Sequence, residues 1–227
     1  MHALIFAAGR SRRLGALTDH KPKCCLPLLG NKSVIDFSLE HIVAAGFKSV
    51  TIVTGHAENV LREDLASKKQ KLKINYVFND KYEDWNNIYT AYLVRELITD
   101  ATYIFNSDIV YDQRILITAV NSRLDNFIVV DDTKPLVDED MKVLVDAQGK
   151  IQRINKNLEN AKSKGEYIGI MHLSGASLAA FKDSLEKMIK AGETDKYYED
   201  ALDRIVTGLD LKTISTEGYS WAEIDTP

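Results

Sequence analysis

Arginines 10, 12 and 13 crowd into the stretch Phe6-Ala7-Ala8-Gly9-Arg10-Ser11-Arg12-Arg13-Leu14-Gly15, directly after a short apolar run. Backbone N–H groups of such a turn can cradle phosphate oxygens, and guanidinium groups add charge and paired donors. The stretch is not Gly-x-Gly-x-x-Gly, because only Gly9 and Gly15 are present, and no Gly-Lys-Ser/Thr follows. A dinucleotide fold and a P-loop NTPase are therefore both disfavoured. Downstream, Lys21 and Lys23 flank Pro22, and Asp108 stands just past an apolar segment. Cations near a turn and a carboxylate at a strand end suit chemistry on a phosphate ester.

The elements that hold these residues follow from hydrophobic period. Residues 3–7, 49–54, 74–78, 103–106 and 127–131 read as strands, and 33–45, 58–68, 88–98 and 114–124 as helices. This alternation predicts an α/β, doubly wound, mostly parallel (Rossmann-like) sheet covered on both faces. Beyond residue 135 the rhythm changes. Two apolar runs around Asp146-Ala-Gln-Gly149 read as a β-hairpin, followed by a strand (166–173), helices (177–191 and 197–206) and a strand (211–215). The expectation is one domain over 1–227, with a nucleotide-binding half (1–134) and a mixed, acceptor-binding half (135–227). In such sheets ligands lie at the carboxyl ends of the strands. The loop 8–15, the surroundings of Asp108 and the loop at Gly55 all fall there.

Bulk properties narrow the partners. The 227 residues are 45% hydrophobic and 27% charged with a net charge of −4, enough for a sizeable core and giving no reason to expect a nucleic-acid partner. No apolar run is long enough for membrane insertion. Cys24 and Cys25 are adjacent and poorly placed to staple a fold, so the chain reads as cytoplasmic. A homodimer and fusion to a further domain both stay open.

The segment AAGRSRRLGALTDHKPKCCLPLLG resembles the signature of the sugar-phosphate nucleotidyltransferase superfamily, Ala-Ala-Gly-x-Gly-x-Arg-Leu followed by Pro-Lys. NDKYEDWNNIYTAYLVRE, NSDIVYD, EDMKVLVD, GEYIGIMHLS and SWAEID resemble its bacterial choline-phosphate and 2-aminoethylphosphonate cytidylyltransferase group. The resemblance implies transfer of CMP from CTP to a small phosphate or phosphonate with release of pyrophosphate, dependent on Mg²⁺. The alternative is a sugar-1-phosphate nucleotidyltransferase that uses another NTP. An acceptor phosphate is already ionised at neutral pH, so no general base is needed; charge neutralisation and in-line positioning are.

By the same resemblance Arg13 would hold the β- and γ-phosphates and Lys23 would bridge the α-phosphate and the attacking oxygen. Asp108 and Asp225 would hold the metal. Ala8 and Gly9 would meet the nucleotide through the backbone, with Arg10 and Ser11 beside them, and Gly55, Asn86 and Asn87 would approach the base. Ser11 replaces a family glycine, which is tolerable only if φ there avoids positive values. Tyr89, Asp131, Lys142, Glu166, Tyr167 and Trp221 are the candidate acceptor-binding residues. A quaternary ammonium favours aromatic faces and a primary amine favours carboxylates and carbonyls, and both kinds of group are present.

Overall fold

The computed structural model describes residues 1–68 and 71–226. The first half contains β1 (His2–Ala7), a short ribbon of β2 (Pro27–Leu29) and β3 (Lys32–Ser33), α1 (Val34–Ala44), β4 (Ser49–Thr54), α2 (Glu58–Ala66) and β5 (Lys73–Phe78). It continues with α3 (Asn87–Leu93), β6 (Thr102–Asn106), β7 (Ile109–Tyr111), α4 (Gln113–Asn121) and β8 (Phe127–Asp131). The second half adds β9 (Lys142–Val145), β10 (Ile151–Asn155), β11 (Gly165–His172), α5 (Gly175–Lys190), α6 (Tyr198–Asp203), β12 (Lys212–Ser215) and β13 (Trp221–Glu223).

Local chemistry sets the element ends. Asp36 Oδ2 accepts from both the backbone N–H and the hydroxyl of Ser33 at 2.8 Å, closing the start of α1. Asp112 caps α4 by accepting from Arg114 N–H at 2.9 Å. Along β1 the side chains alternate between two cores. Ala3, Ile5 and Ala7 pack with α1, α2 and α4, while Leu4 and Phe6 pack with α3, α5 and α6. That is double winding: one sheet between two helical layers.

The nine-stranded sheet runs β10-β9-β11-β6-β1-β4-β5, with β8 and β12 extending from β11. β1, β4, β5 and β6 pair in parallel. The winding departs from the sequence expectation at β8, which reads as the next parallel neighbour. In the structure β11 from the second half lies between β6 and β8 and runs against both. The two halves therefore share one sheet. The β9–β10 hairpin forms as its turn signal predicts.

β11 changes partner partway along. Residues 170–172 pair with β6 and residues 165–166 with β9. The switch falls at Gly169, at φ 88°, where a Cβ would stand 2.6 Å from the Asn106 side-chain amide. The parted strands β6 and β9 leave a mouth into which the end of β6 opens. A second feature is too short to read in sequence. β7 and β13 pair antiparallel, Trp221 opposite Tyr111 and Glu223 opposite Ile109. Ile224 N–H then donates to Asp108 O at 2.8 Å, so the chain end is carried to the Asp108 turn.

Candidate active site

A cleft follows the carboxyl ends of β1 and β6 and the mouth beside β11. Its floor on one side is the loop after β1. Ser11 sits in the left-handed region at φ 52°, ψ 46°, contrary to the condition the sequence set for a serine there. A non-glycine residue in that region costs about 1–2 kcal/mol, so the loop holds strain where the superfamily signature has glycine. The loop is braced from below. His56 N–H donates to Ala8 O at 3.0 Å, and His56 Nε2, as donor, reaches Thr18 O at 2.6 Å. Gly55 lets this brace come close; a Cβ there would lie 2.6 Å from Ala8 O. Gly55 thus supports the loop and does not line the cleft.

The strongest electrostatic feature is a knot of two cations and two anions. Lys23, on a single helical turn after Pro22, is buried, and its Nζ lies 2.9 Å from Asp108 Oδ2 and 3.3 Å from Asp225 Oδ1. Arg13 pairs with the other oxygen of Asp225. Burial opposes the Lys23 charge, but Asp108 and Asp225 outweigh it and hold its pKa above the ordinary lysine value. Arg13, Lys23, Asp108 and Asp225 are therefore in one place, brought there by four separate chain segments.

Asp108 Oδ1 is buried without a hydrogen-bond partner. An orphaned carboxylate oxygen beside Asp225 fits a hard divalent cation. Among the described residues no group of three or more His, Cys, Asp or Glu side chains could hold a metal. A Mg²⁺ ion here would take Asp108 and Asp225 together with phosphate oxygens and water, its usual mode. Glu223, which the sequence reading missed, also borders the cleft. Glu223 is exposed at its outer surface, but crowding around its carboxyl, with repulsion from Asp108, pushes its pKa up to about 7. Its position on a three-residue strand gave no sequence signal.

Asn86 and Asn87 border the cleft and a shallower lobe continuous with it. Their side chains are engaged: Asn86 caps α3 and donates to Asp195 O at 3.0 Å, and Asn87 Oδ1 accepts from Tyr198 N–H at 2.9 Å. Arg12 borders both lobes and reaches Glu83 O at 3.3 Å, whereas Arg10 borders the shallower one, 3.7 Å from the Glu83 carboxylate.

The proposed acceptor residues divide. Glu166 and Tyr167 border the cleft, and Tyr167 is tied through the Tyr198 hydroxyl (2.9 Å) to Asn106 (3.1 Å). Asp131 and Trp221 lie in an adjoining hollow, where Trp221 Nε1–H donates to Asp131 Oδ2 at 2.7 Å. Lys142 is outside the cleft: it is fully buried, and its ammonium donates to the carbonyls of Asp138 (2.8 Å) and Lys156 (2.5 Å), with Asp140 O at 3.5 Å. Tyr89 is also outside, donating to Asp80 at 3.1 Å. Glu199, not singled out from sequence, is buried on the cleft wall with Oε2 unpartnered. Desolvation pushes its pKa up to about 8.

Fold and site together define a doubly wound α/β protein with a knot of two cations and two carboxylates in the cleft at the strand ends. The profile described as Nucleotidyl transferase matches residues 2–147, and the chain belongs to that family. The choline-phosphate cytidylyltransferase of Streptococcus pneumoniae is 35% identical over 108 residues, 48% of this chain and 44% of that protein. That matched segment covers less than half the length of the relative. The CTP:phosphoglutamine cytidylyltransferase of Campylobacter jejuni is 28% identical over 99% of this chain and 96% of its own length. The solved CTP:phosphocholine cytidylyltransferase from S. pneumoniae shares the fold with a TM-score of 0.79 at 24% identity, covering 99% of this chain and 93% of that one.

Proposed function

We propose that this protein transfers CMP from CTP to a small phosphate or phosphonate and releases pyrophosphate. The observation that carries the reading is Lys23, a buried ammonium held between Asp108 and Asp225 beside a strained, arginine-bearing loop. The nucleotide follows from the relatives, two of which are named for CTP. An acceptor phosphate oxygen attacks the α-phosphorus; the new O–P bond forms as the bond to the β-phosphate oxygen breaks, and pyrophosphate leaves. Lys23 sits where it can neutralise the charge that grows on the α-phosphate, and it needs no proton transfer to do so. Arg13 exchanges Asp225 for the β- and γ-phosphates. The backbone of Ala8 and Gly9 seats the triphosphate. Asp108 and Asp225 would hold a Mg²⁺ ion, which would supply further charge neutralisation.

The acceptor is a phosphocholine- or 2-aminoethylphosphonate-like molecule, since the carboxylates of Glu166 and Glu139 also border the cleft. A pyrophosphate-release assay tests this, crossing CTP, UTP, GTP and dTTP with phosphocholine, 2-aminoethylphosphonate and sugar 1-phosphates. Turnover with CTP and an amino acceptor is expected. Turnover only with another NTP and a sugar 1-phosphate would overturn it.

A further inference from the structure

Behind the wall formed by Glu166 and Glu223 lies the hollow that holds Trp221 and Asp131. Both glutamates border the hollow and the main cleft, so the two spaces are neighbours. The hollow is built as a box for a cation. Glu166 and Asp140 present carboxylates whose side chains are each only 7% exposed. Trp221 presents its ring face, and its orientation is locked by the bond to Asp131. Asp131 is fixed in turn by the backbone N–H and hydroxyl of Thr133, at 2.9 and 2.7 Å. Asp140 Oδ2 accepts from Val137 N–H at 2.8 Å.

A cation from the chain itself fills the box. Lys134 Nζ lies 2.5 Å from Glu166 Oε2, 3.7 Å from Asp140 Oδ1 and 5.0 Å from the Trp221 ring centroid. Two carboxylates and an indole face are the partners that an alkylammonium prefers. Lys134 reaches in from the connection 132–141, and its side chain is 39% exposed. The imbalance matters. If Lys134 withdraws, its flexible stem delivers the ammonium to water at once. The buried carboxylates then need a replacement cation or must take up a proton, which burial already favours at Glu166.

We propose that Lys134 is a resident counter-cation in the acceptor's ammonium position, and that an acceptor bearing an alkylammonium binds by displacing it. This rests on the cytidylyltransferase reading of the main cleft. The two sites are linked along the chain, because Glu223 stands two residues before Asp225, which touches Lys23. Lys23 and Glu166 border the same cleft, so an acceptor with its phosphate at Lys23 can extend its far end toward Glu166. Exchanging one ammonium for another is nearly balanced in charge. A neutral acceptor offers nothing to replace Lys134, so the device favours charged acceptors over neutral ones of equal size.

In the first test, KM is measured for Lys134→Met with phosphocholine, 2-aminoethylphosphonate and, as the neutral comparator, ethyl phosphate. Removing the resident cation should lower KM for the cationic acceptors about tenfold, because the open box is no longer a minor state. KM for CTP and for ethyl phosphate should not move. A fall with only one of the two amines supports the proposal and identifies the acceptor; an unchanged or raised KM for both overturns it. Because this variant leaves Glu166 unpaired, a second readout uses the wild-type protein. Acetylation of Lys134 by an N-hydroxysuccinimide ester is followed by mass spectrometry with and without phosphocholine or tetramethylammonium chloride. Labelling of Lys134 should rise severalfold with either and not with ethyl phosphate; no rise with either overturns the proposal. This readout needs no turnover, so it stands apart from failure of the transfer assay.

Discussion

Gly55→Ala probes the brace beneath the loop after β1. The new Cβ would meet Ala8 O at 2.6 Å and Tyr82 Cβ at 2.7 Å, where ordinary contact begins at 3.4 Å. The loop carbonyl and Tyr82 must therefore retreat, by up to about 0.8 Å if one moves alone. Gly55 is not among the residues with positive φ, so the penalty is steric. Overpacking of this kind costs about 1–3 kcal/mol. Loss of unfolded-state entropy on replacing glycine returns roughly 0.4–1 kcal/mol. The net destabilisation is about 1–2 kcal/mol, a fall in Tm of roughly 2–8 °C for a chain of this size. The same shift moves the backbone that, in the proposed function, seats the triphosphate, and misplacement on that scale costs on the order of 10–100-fold in rate. Thermal melts and kcat/KM for CTP should fall together. If Tm falls while kcat/KM is unchanged, the loop after β1 is not the triphosphate seat. If kcat/KM falls with Tm intact, Gly55 touches the nucleotide directly and the brace is wrong.

Ser11→Gly should raise stability by about 0.5–1 kcal/mol by relieving the left-handed strain, less the entropy glycine costs, whereas Ser11→Ala should not; urea melts in which both variants behave alike would show that the backbone there is relaxed. Lys23→Ala should lower kcat about 100–1000-fold with little change in KM for CTP, as expected for charge used at the transition state; an unchanged kcat removes Lys23 from the reaction. Glu199, at about 8 in the fold against an ordinary 4.5, binds more protons folded than unfolded, so its contribution to stability falls as pH rises from about 4.5 to 8. Glu199→Gln should therefore gain stability relative to wild type between pH 5 and pH 8, and a difference that stays constant across those pH values would contradict the burial argument.

Much of the architecture was legible because it rests on local patterns. The strand at 127–131 opens on an apolar run and that at 49–54 is rich in β-branched residues, and the first helix carries its own cap at Ser33 and Asp36. What could not be read was long-range pairing. Nothing local in residues 166–173 says that this strand enters between β6 and β8. A three-residue ribbon such as β7–β13 gains its stability from register and burial, not from propensity. Site residues divide the same way. Loop 8–13 and Lys23 declare themselves by type and spacing. Lys142 in Met-Lys-Val could by sequence reach the acceptor or simply line a strand edge; in the fold its ammonium is taken up by nearby backbone carbonyls. Glu199 escaped notice because a glutamate in the first turn of a helix is ordinary, and only the folded wall leaves its Oε2 without a partner.

The arginine-rich loop belongs in an acidic protein because its charge is already answered. Arg13 and Lys23 face Asp108 and Asp225, so the unliganded knot is electrically balanced. Lys23 lies 85 residues from Asp108 and 202 from Asp225 in sequence, so the knot exists only once both halves have folded onto one sheet. The β7–β13 ribbon is what carries Asp225 to it. If the loop after β1 takes a triphosphate as proposed, the arrangement also accounts for two carboxylates beside it without repulsion of its ligand. A bare triphosphate would have to take Arg13 and Lys23 from these aspartates and leave their charge exposed. A triphosphate arriving with a divalent cation brings the replacement with it, as the acceptor's ammonium would at Lys134. Both exchanges conserve charge in poorly solvated surroundings, where an uncompensated carboxylate is most costly.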